Sequence, residues 1–543
     1  MKKNFIGAIL IFLCLGSAAQ EKLQYHVIKK DKEGKIIPWY HPDPGIAYDR
    51  VMHLVWNFWD TMRVDLNGIP YYMNHQVWRP GVNDPRGVGG DQFAMALSSW
   101  RLYYQYTGNE RVKQNMKFIA EYYLTHGLSD AGAKWPHIPY PYNTFVYSGV
   151  YDGDMIIGKH YTQPDKAGSF AIELVNMYKL LRNERFPNQS YKAYLDAAVN
   201  IANTLASHIK QGDSLASPLP FKVNAMTGEV GMLKRHDQRE VDDQRSDYTT
   251  NWAGTMELFL ELQKLKVGNV AAYRKGFDVL LQWMKKHPLQ NNRWGPFFED
   301  IVGWSDTQIN AVTFAQFMMD HPEHFPQWRK EVKGIFDWVY RNLGNDNWKK
   351  YGVIPINEQT AYRVPGNSHS ARQASAELQY MLLTGDWSGR DGAVRQLTWA
   401  TYMVDVDGKN RYMEDENWLT DGYGDYVRHY LRAMAALPEL APASQEHLLS
   451  STSVIQHIFY QGQLGKYYYS MAKDTQKIQL HYIVFDEAGK EQIRLLKKPS
   501  GVLFDERKVL ENGSEEGYEW KALPKGGILT VRRTKAKNVV ILK

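Results

Sequence analysis

One segment of the sequence recurs after 74 positions without a gap. Residues 89–111, GGDQFAMALSSWRLYYQYTGNER, align with residues 163–185, QPDKAGSFAIELVNMYKLLRNER, and the alignment matches Asp91 to Asp165. A third copy, residues 366–386, shares the Thr-Gly-Asn/Asp ending of the first. Repeats with a period this long indicate a supersecondary unit that the chain uses several times.

Each copy opens with polar or glycine residues and continues as a helix. In the first copy, Phe93, Leu97, Trp100 and Tyr104 lie at i, i+4, i+7 and i+11, which is one apolar stripe at helical spacing. Three more segments follow the same plan and bring the total to six: 251–265, 305–319 and 421–437. Second helices lie between them, for example at 112–126, 191–209, 271–287 and 328–343.

Six helix pairs in sequence predict a mainly α fold in which the pairs close into a ring. The inner helices would all point the same way, as in an (α/α)6 toroid. A ring also explains how one unit can exceed the roughly 250 to 300 residues at which single cores usually stop growing. We therefore predict that residues 20–460 form the toroid.

The pattern changes after about residue 460, where the helical period gives way to short strands. Residues 477–486, 491–498 and 528–543 read as strands between turns such as Glu-Ala-Gly-Lys. We expect residues 461–543 to form a small antiparallel β domain that caps the ring.

The N-terminus has the pattern of a secretory signal peptide over residues 1–19. Lys2 and Lys3 precede a short apolar run, and small residues end at Ala19, so we expect cleavage near Ala19 and a periplasmic or secreted protein. The run is shorter than the roughly 17 to 25 residues of a membrane span. Cys14 is the only cysteine, and the bulky Leu13 before it disfavours a lipoprotein.

Composition excludes several function classes. The formal charge of +6 is small and its lysines and arginines are scattered, which argues against a nucleic-acid partner. The sequence has no His-Glu-x-x-His motif and no tight histidine cluster, so we expect no metal and no cofactor. The 17 Trp and 35 Tyr suit the stacking of sugar rings, although a tyrosine-rich helical core would look the same.

These features together resemble the secreted (α/α)6-toroid carbohydrate enzymes. The resemblance rests on the N-terminus, the C-terminal β module and six helix openings: Gly-Asp, Pro-Asp, Asn-Trp, Asp-Thr-Gln, Asn-Ser-His and Asp-Gly-Tyr. It is nearest to the unsaturated glucuronyl hydrolases and β-glucuronidase-like glycoside hydrolases. The Trp-Gly-Arg-Gly-Asn-Gly-Trp stretch associated with unsaturated rhamnogalacturonyl hydrolases is absent. The resemblance implies a glycoside hydrolase that removes a uronic-acid-containing sugar from a complex polysaccharide or oligosaccharide.

Glycosidic cleavage needs two carboxyl groups, and the repeat nominates Asp91 and Asp165 at equivalent places on successive inner helices. The glucuronyl hydrolases also carry two functional aspartates on consecutive inner helices, and the resemblance assigns that role to these two positions. The alternative is that both are N-caps, for which aspartate is strongly preferred.

A third candidate carboxylate lies in residues 293–308, RWGPFFEDIVGWSDTQ, the loop that precedes the fourth inner helix. Aromatic neighbours raise the pKa of a carboxyl group, so Glu299 is a candidate general acid. Asp300, Trp294 and Trp304 would lie beside it at the rim of the cleft. The alternative is that Asp306 caps the helix and Glu299 is an ordinary loop acid.

An acidic sugar requires a cationic partner. His369 and Arg372 share a helix face and could hold one carboxylate, with Asn367 beside them, although Arg372 could equally bridge acids of the repeat itself. The expected substrate-binding residues are Arg79, Lys166, Trp252, Trp294, Asp300, Asp306, Asn367, His369, Arg372, Asp421 and Tyr423.

Two other functions fit the same residues. A polysaccharide lyase acting by β-elimination on a uronate could use Asn367, His369, Arg372 and Tyr423. A non-catalytic glycan-binding protein would need the aromatic residues without the carboxylates. The sequence leaves the oligomeric state open.

Overall fold

The computed structural model describes residues 21–62, 93–140, 160–182, 190–234, 241–297, 304–410, 423–466 and 477–543. Its long helices are α1 Pro44–Asp60, α2 Phe93–Thr107, α3 Glu110–His126, α4 Pro164–Leu181, α5 Ser190–His208, α6 Ala253–Leu265, α7 Val270–Lys286, α8 Gln308–Asp320, α9 Trp328–Leu343, α10 Asn367–Thr384, α11 Arg390–Thr401 and α12 Tyr423–Ala436. One-turn and 3-10 helices occupy Pro288–Asn291, Pro322–His324, Asp346–Tyr351, Pro438–Leu440 and Gln461–Lys466.

Six of these helices form a closed inner ring in the order α2, α4, α6, α8, α10 and α12. Each contacts the next, and α12 returns to contact α2. The outer helices α3, α5, α7, α9 and α11 each pack on the inner helix that precedes them. The sixth outer place is taken by α1, which packs on α11 and α12, so the first long helix completes the ring that the last one closes.

The two layers differ in how they bury their residues. The outer helix α9 is amphipathic and buries Val332, Ile335, Val339 and Leu343 at helical spacing. The inner helix α8 buries almost every residue from Gln308 to Met319, because helices surround it. A helix that is buried all round is typical of the core of a large protein.

The Thr-Gly ending of the repeat has a structural cause. Gly108 has φ of 65° and Gly385 has φ of 79°, the left-handed conformation that favours glycine. The N–H of Gly108 bonds to the Tyr104 carbonyl, and the next residue, Asn109, caps α3 by accepting from the Arg111 N–H. One Gly-Asn pair therefore ends an inner helix and begins its outer partner.

The described residues of the C-terminal region contain nine strands: β1 His447–Ser451, β2 Ile455–Tyr460, β3 Ile478–Val484, β4 Gly489–Leu495, β5 Gly501–Phe504, β6 Arg507–Val509, β7 Gly517–Ala522, β8 Gly527–Arg533 and β9 Asn538–Leu542. They form a four-stranded sheet, β7-β8-β4-β1, and a five-stranded sheet, β6-β5-β9-β3-β2, with antiparallel pairing throughout. Elsewhere in the described ranges, short strands pair as Lys22–Leu23 with His26–Val27, Tyr161–Thr162 with Val223–Asn224, and Met232–Lys234 with Val241–Arg245.

The change of period in the sequence placed the start of the sheets after residue 460. In the structure the sheets begin earlier, at His447. Strands β1 and β2 lie at 447–460 and carry buried polar side chains, among them His447 and Gln456. These two residues bond to the ring, which is why the segment lacks an apolar strand pattern. The Gln456 backbone carbonyl accepts from Tyr104 Oη at 3.3 Å, and the Gln456 side chain donates through Nε2 to the Lys179 carbonyl at 2.7 Å.

A histidine joins the sheets to the ring. The His447 imidazole stacks on Tyr106 with the ring centroids 3.7 Å apart, and its Nδ1 donates to the Tyr106 carbonyl at 2.9 Å. Its Nε2 is buried and has no hydrogen-bond partner among the described residues. Burial lowers the pKa of His447 to about 4, so the imidazole is neutral in the folded protein at neutral pH.

In the part of the chain that the structure describes, no helix has the length and the hydropathy needed to cross a bilayer.

The lowered pKa of His447 predicts a loss of stability in acid. The unfolded state takes up a proton near pH 6.5 and the folded state only near pH 4, so stability falls as pH drops through this window, by up to about 3 kcal/mol. His447→Gln should lose less stability over that range in urea titrations. His126→Gln, at an exposed histidine, is the matched control and should behave like the natural protein. Equal acid sensitivity in all three proteins would contradict the assignment.

The contact between α4 and α6 predicts a second outcome. A Cβ on Gly168 would lie 1.9 Å from Thr255 Oγ1 and 2.8 Å from its Cα, so Gly168→Ala should cost about 1 to 3 kcal/mol of unfolding free energy. Gly334→Ala on α9 is the control, because its Cβ would meet nothing within 4 Å and alanine favours helix. Denaturant unfolding should therefore show a loss for the first variant and no loss for the second.

Candidate functional site

The inner helices run parallel, so their N-terminal ends meet at one end of the ring. Near this end, Asn251, just before α6, bonds to Asp165 in the first turn of α4. Arg372, in the second turn of α10, bonds to Gln308 at the start of α8. At the opposite end, Gln379 of α10 bonds to Asp320, the last residue of α8.

Asp165 has the environment of a functional carboxyl group. It is fully buried, and its Oδ2 accepts a hydrogen bond from Asn251 Nδ2 at 2.9 Å. Its Oδ1 is buried and accepts no hydrogen bond from the described residues. The N-cap of α4 is Gln163, and Asp165 lies inside the first turn. The structure therefore does not give Asp165 the N-cap position that was its alternative interpretation.

Burial raises the pKa of Asp165 above its ordinary value. The Lys166 ammonium and the hydrogen bond from Asn251 oppose this rise without cancelling it. Asp165 is thus shifted toward holding a proton at higher pH than a solvated aspartate.

Lys166 lies beside Asp165 and lines an internal cavity. Its Nζ is 3.7 Å from Asp165 Oδ2 and donates to the Phe297 carbonyl at 2.7 Å. The same Nζ lies 4.0 Å from the centroid of the Phe297 ring, a cation–π contact. Lys166 thus joins α4 to the loop that precedes α8.

Two glycines allow Asp165 and Asn251 to meet. Besides the contact at Gly168, a Cβ on Gly254 would lie 2.5 Å from Ser169 Oγ and 2.8 Å from Ser169 Cα. The helices α4 and α6 therefore approach more closely than side chains at these positions would permit.

Asp306 organises the loop before α8. Its Oδ1 accepts the backbone N–H groups of Trp294 at 2.7 Å and Gly295 at 2.9 Å, and its Oδ2 accepts from Trp304 Nε1 at 2.9 Å. The N-cap of α8 is Thr307, so Asp306 does not occupy the capping position that was its alternative interpretation. Its carboxylate is engaged within the loop.

Both tryptophans predicted to contact substrate lie in the core. Trp252 and Trp294 have relative exposures of 0%. Trp252 donates through Nε1 to the Thr249 carbonyl at 2.8 Å, and Trp294 packs against Phe314 and Trp338. Neither ring offers a face to the cavity, because helices and loops surround both.

His369 and Arg372 belong to a buried polar cluster between α10 and α12. Arg372 forms an ion pair with Asp425, and its Nη1 donates to Gln308 Oε1 at 2.9 Å. Asp425 also pairs with Arg428 and lies 3.1 Å from His429 Nε2. Burial, with the positive charge of Arg372, lowers the pKa of His369 well below its ordinary value.

Asn367, the first residue of α10, is also buried, and its Nδ2 donates to Asn410 Oδ1. The remaining predicted site residues cannot be placed. Asp91, Arg79, Glu299, Asp300 and Asp421 lie outside the described residues, as does the side chain of Tyr423.

A cavity of about 390 Å³ runs through the ring. Lys166, Asn251 and Phe297 line it near the N-terminal ends of the inner helices, and residues 451–454 of the sheet region line it near the C-terminal ends. The sheets thus cover the far end of the ring.

Sequence reasoning missed the charged pairs that line this cavity. Arg101 pairs with Glu173 at 3.2 Å, and Lys179 pairs with Glu261 at 2.7 Å. These pairs could have been predicted from the charged residues within otherwise apolar inner helices, because a charged side chain is almost never fully buried unless it is paired.

Several solved structures are similar to this chain. Cellobiose 2-epimerase from Bacillus thermoamylovorans B4167 has a TM-score of 0.50 at 13% identity, covering 72% of this chain and 99% of that one. A family 76 glycoside hydrolase from a bovine Bacteroides thetaiotaomicron strain has a TM-score of 0.47 at 10% identity, covering 73% and 78%. An unsaturated glucuronyl hydrolase specific for heparin has 0.45 at 10%, covering 74% and 99%.

No family model and no curated protein matches the sequence. The likeness to solved structures is one of fold. Together with the closed ring of inner helices, it confirms the predicted (α/α)6 toroid with a C-terminal antiparallel β region.

Proposed function

We propose that this chain is a carbohydrate-active enzyme whose active site lies at the N-terminal ends of the inner helices. The observation that carries the proposal is the buried Asp165 carboxyl group, with a raised pKa, one oxygen held by Asn251 and the other unbonded within the described residues. A group that keeps its proton toward neutral pH can donate it to a leaving oxygen. The neighbouring Lys166 and Asn251 line the cavity through the ring.

The reaction we propose is the hydrolysis of a glycosidic bond that releases a uronic-acid-containing sugar. Several proteins of similar fold are glycoside hydrolases by description, among them the family 76 enzyme and the heparin-specific glucuronyl hydrolase. Asp165 would supply one of the two carboxyl groups, and Asp91, its counterpart in the repeat, or Glu299 would supply the other. Glu299 remains a candidate because it follows Phe297, which contacts Lys166, by two residues.

Lys166 is the cation that we propose for the uronate carboxylate. It lines the cavity, and Arg372, which pairs with Asp425 in the interior, is not among the residues that line it. A charge-assisted bond to a substrate carboxylate would favour acidic sugars over neutral ones. Secretion through residues 1–19 would expose the enzyme to extracellular glycans and remains part of the proposal.

The role of Asp165 can be tested with Asp165→Asn on oligosaccharides that contain uronic acids. We expect turnover to fall by a factor of about 10² to 10⁴, since the amide cannot act as an acid. The natural enzyme should lose activity as pH rises through the raised pKa, because the acid then has no proton to give. Substrates with good leaving groups should recover part of the lost rate.

Glu377→Gln is the matched control for this test. Glu377 is also buried on an inner helix, and burial raises its pKa to about 7, but it lies more than two turns from the N-terminus of α10. Turnover in Glu377→Gln should stay within a few-fold of normal. An Asp165→Asn enzyme that is folded and equally active would refute the assignment. An unsaturated product that absorbs in the ultraviolet would show that the enzyme is a lyase acting by β-elimination and not a hydrolase.

The role of Lys166 predicts selectivity between acidic and neutral substrates. Lys166→Met should reduce kcat/KM for a uronate substrate by about 30-fold, roughly 2 kcal/mol, and change it little for the neutral-sugar analogue. In Lys166→Met the loss of activity at alkaline pH should also move to higher pH, because the Lys166 ammonium lowers the pKa of Asp165. Arg372→Met should instead reduce kcat/KM for both substrates alike, because the loss of its ion pair destabilises the protein. Equal losses on both substrates in Lys166→Met would make this lysine structural.

A further inference from the structure

A second cavity adjoins the first at the other end of the ring, where the C-terminal halves of the inner helices meet the four-stranded sheet. The two cavities share the lining residues Arg101, Gln316, Asp320, Arg432, Ser451 and Thr452. Its volume is about 480 Å³, within the size range of small-molecule sites. Leu102, Leu431 and Leu449 line its walls, and Lys490 from strand β4 also lines it. We call this space the seam cavity.

Two adjacent leucines stand at the surface of the seam cavity. Leu382 and Leu383, in the last turn of α10, line it and have relative exposures of 47% and 42%. Single exposed leucines are ordinary, but a consecutive pair beside the leucines of the cavity wall extends that apolar wall to the surface. The apolar lining is therefore accessible from solvent.

Arg432 supplies a positive charge inside the same cavity. Among the described residues it makes one hydrogen bond, from Nη1 to Gln316 Oε1 at 3.2 Å, and no carboxylate lies within 4.0 Å of its guanidinium. Burial lowers the pKa of Arg432 to about 10, so it remains charged at neutral pH. A partly desolvated guanidinium bonded only to a neutral amide has capacity for an anion.

The other charges of the cavity leave that capacity open. Arg101 is engaged through Nε and Nη2 with Glu173. Asp320 accepts a hydrogen bond from Gln379 at 2.7 Å and lies beyond ion-pair distance of Arg432. Lys490 adds a further positive charge and makes no ion pair among the described residues.

We propose that the seam cavity binds a small carboxylic acid with an apolar body. The carboxylate bonds to the Arg432 guanidinium, and the apolar body lies along the leucine walls toward Leu382 and Leu383. Charge complementarity at the base and apolar surface at the mouth together select this class over neutral apolar molecules and over small inorganic anions. This site lies at the end of the ring opposite the proposed active site.

Octanoate is a suitable probe, with octanol and acetate as its separated halves. Calorimetric titration of the full chain should show saturable binding of octanoate and a matching rise in Tm. Acetate and octanol at the same concentrations should give at least tenfold weaker binding. Acetate binding as tight as octanoate would reduce the site to an anion pocket, and octanol binding as tight would make Arg432 irrelevant; either result overturns the proposal.

Three variants locate the binding. Arg432→Met removes the charge and keeps the stem, and Leu383→Asp places a negative charge at the exposed mouth, where it should not disturb folding. Each should weaken octanoate at least tenfold. Arg390→Met is the control, because Arg390 is an exposed arginine of α11 that pairs with Glu439. Unchanged affinity for octanoate in Leu383→Asp overturns the proposal. This variant gives a result even if Arg432→Met does not fold.

Discussion

Six inner helices that close on themselves create an axis that the outer helices do not reach. Polar groups that point toward this axis must be satisfied by one another. Asp425 illustrates the constraint, because it is shared by Arg372 of α10 and by Arg428 and His429 of its own helix. Bonds of this kind fix each inner helix to the next, and the register that results sets which groups meet at either end of the ring.

The same constraint separates two kinds of charged residue. Arg372 lies in a buried ion pair, so its charge is used within the protein. Lys166 lies 3.7 Å from Asp165 Oδ2, donates to the Phe297 carbonyl and lines a cavity. Lys166 and Arg432 both line cavities, and they lie toward opposite ends of the ring.

The helices and their ring could be predicted from the sequence because the apolar period is strong and the repeat copies it. The outer helix α9, Trp328–Leu343, matches its expected bounds at both ends. The start of the sheets could not be predicted, since His447 and Gln456 are polar residues buried against the ring. Asp165 emerged from the repeat, whereas the partners of Arg372 and Asp306 depend on side chains brought together from distant segments, which no local pattern encodes.

The position of α1 has a consequence for how the chain folds. It is the first long helix of the described residues, yet it packs on α11 and α12, the last two long helices of the ring. During synthesis the apolar face of α1 stays uncovered until α11 and α12 have been made. The ring therefore closes through contacts of very long sequence separation. Such contacts slow folding, and they leave the partly made chain with an exposed apolar helix for most of its synthesis.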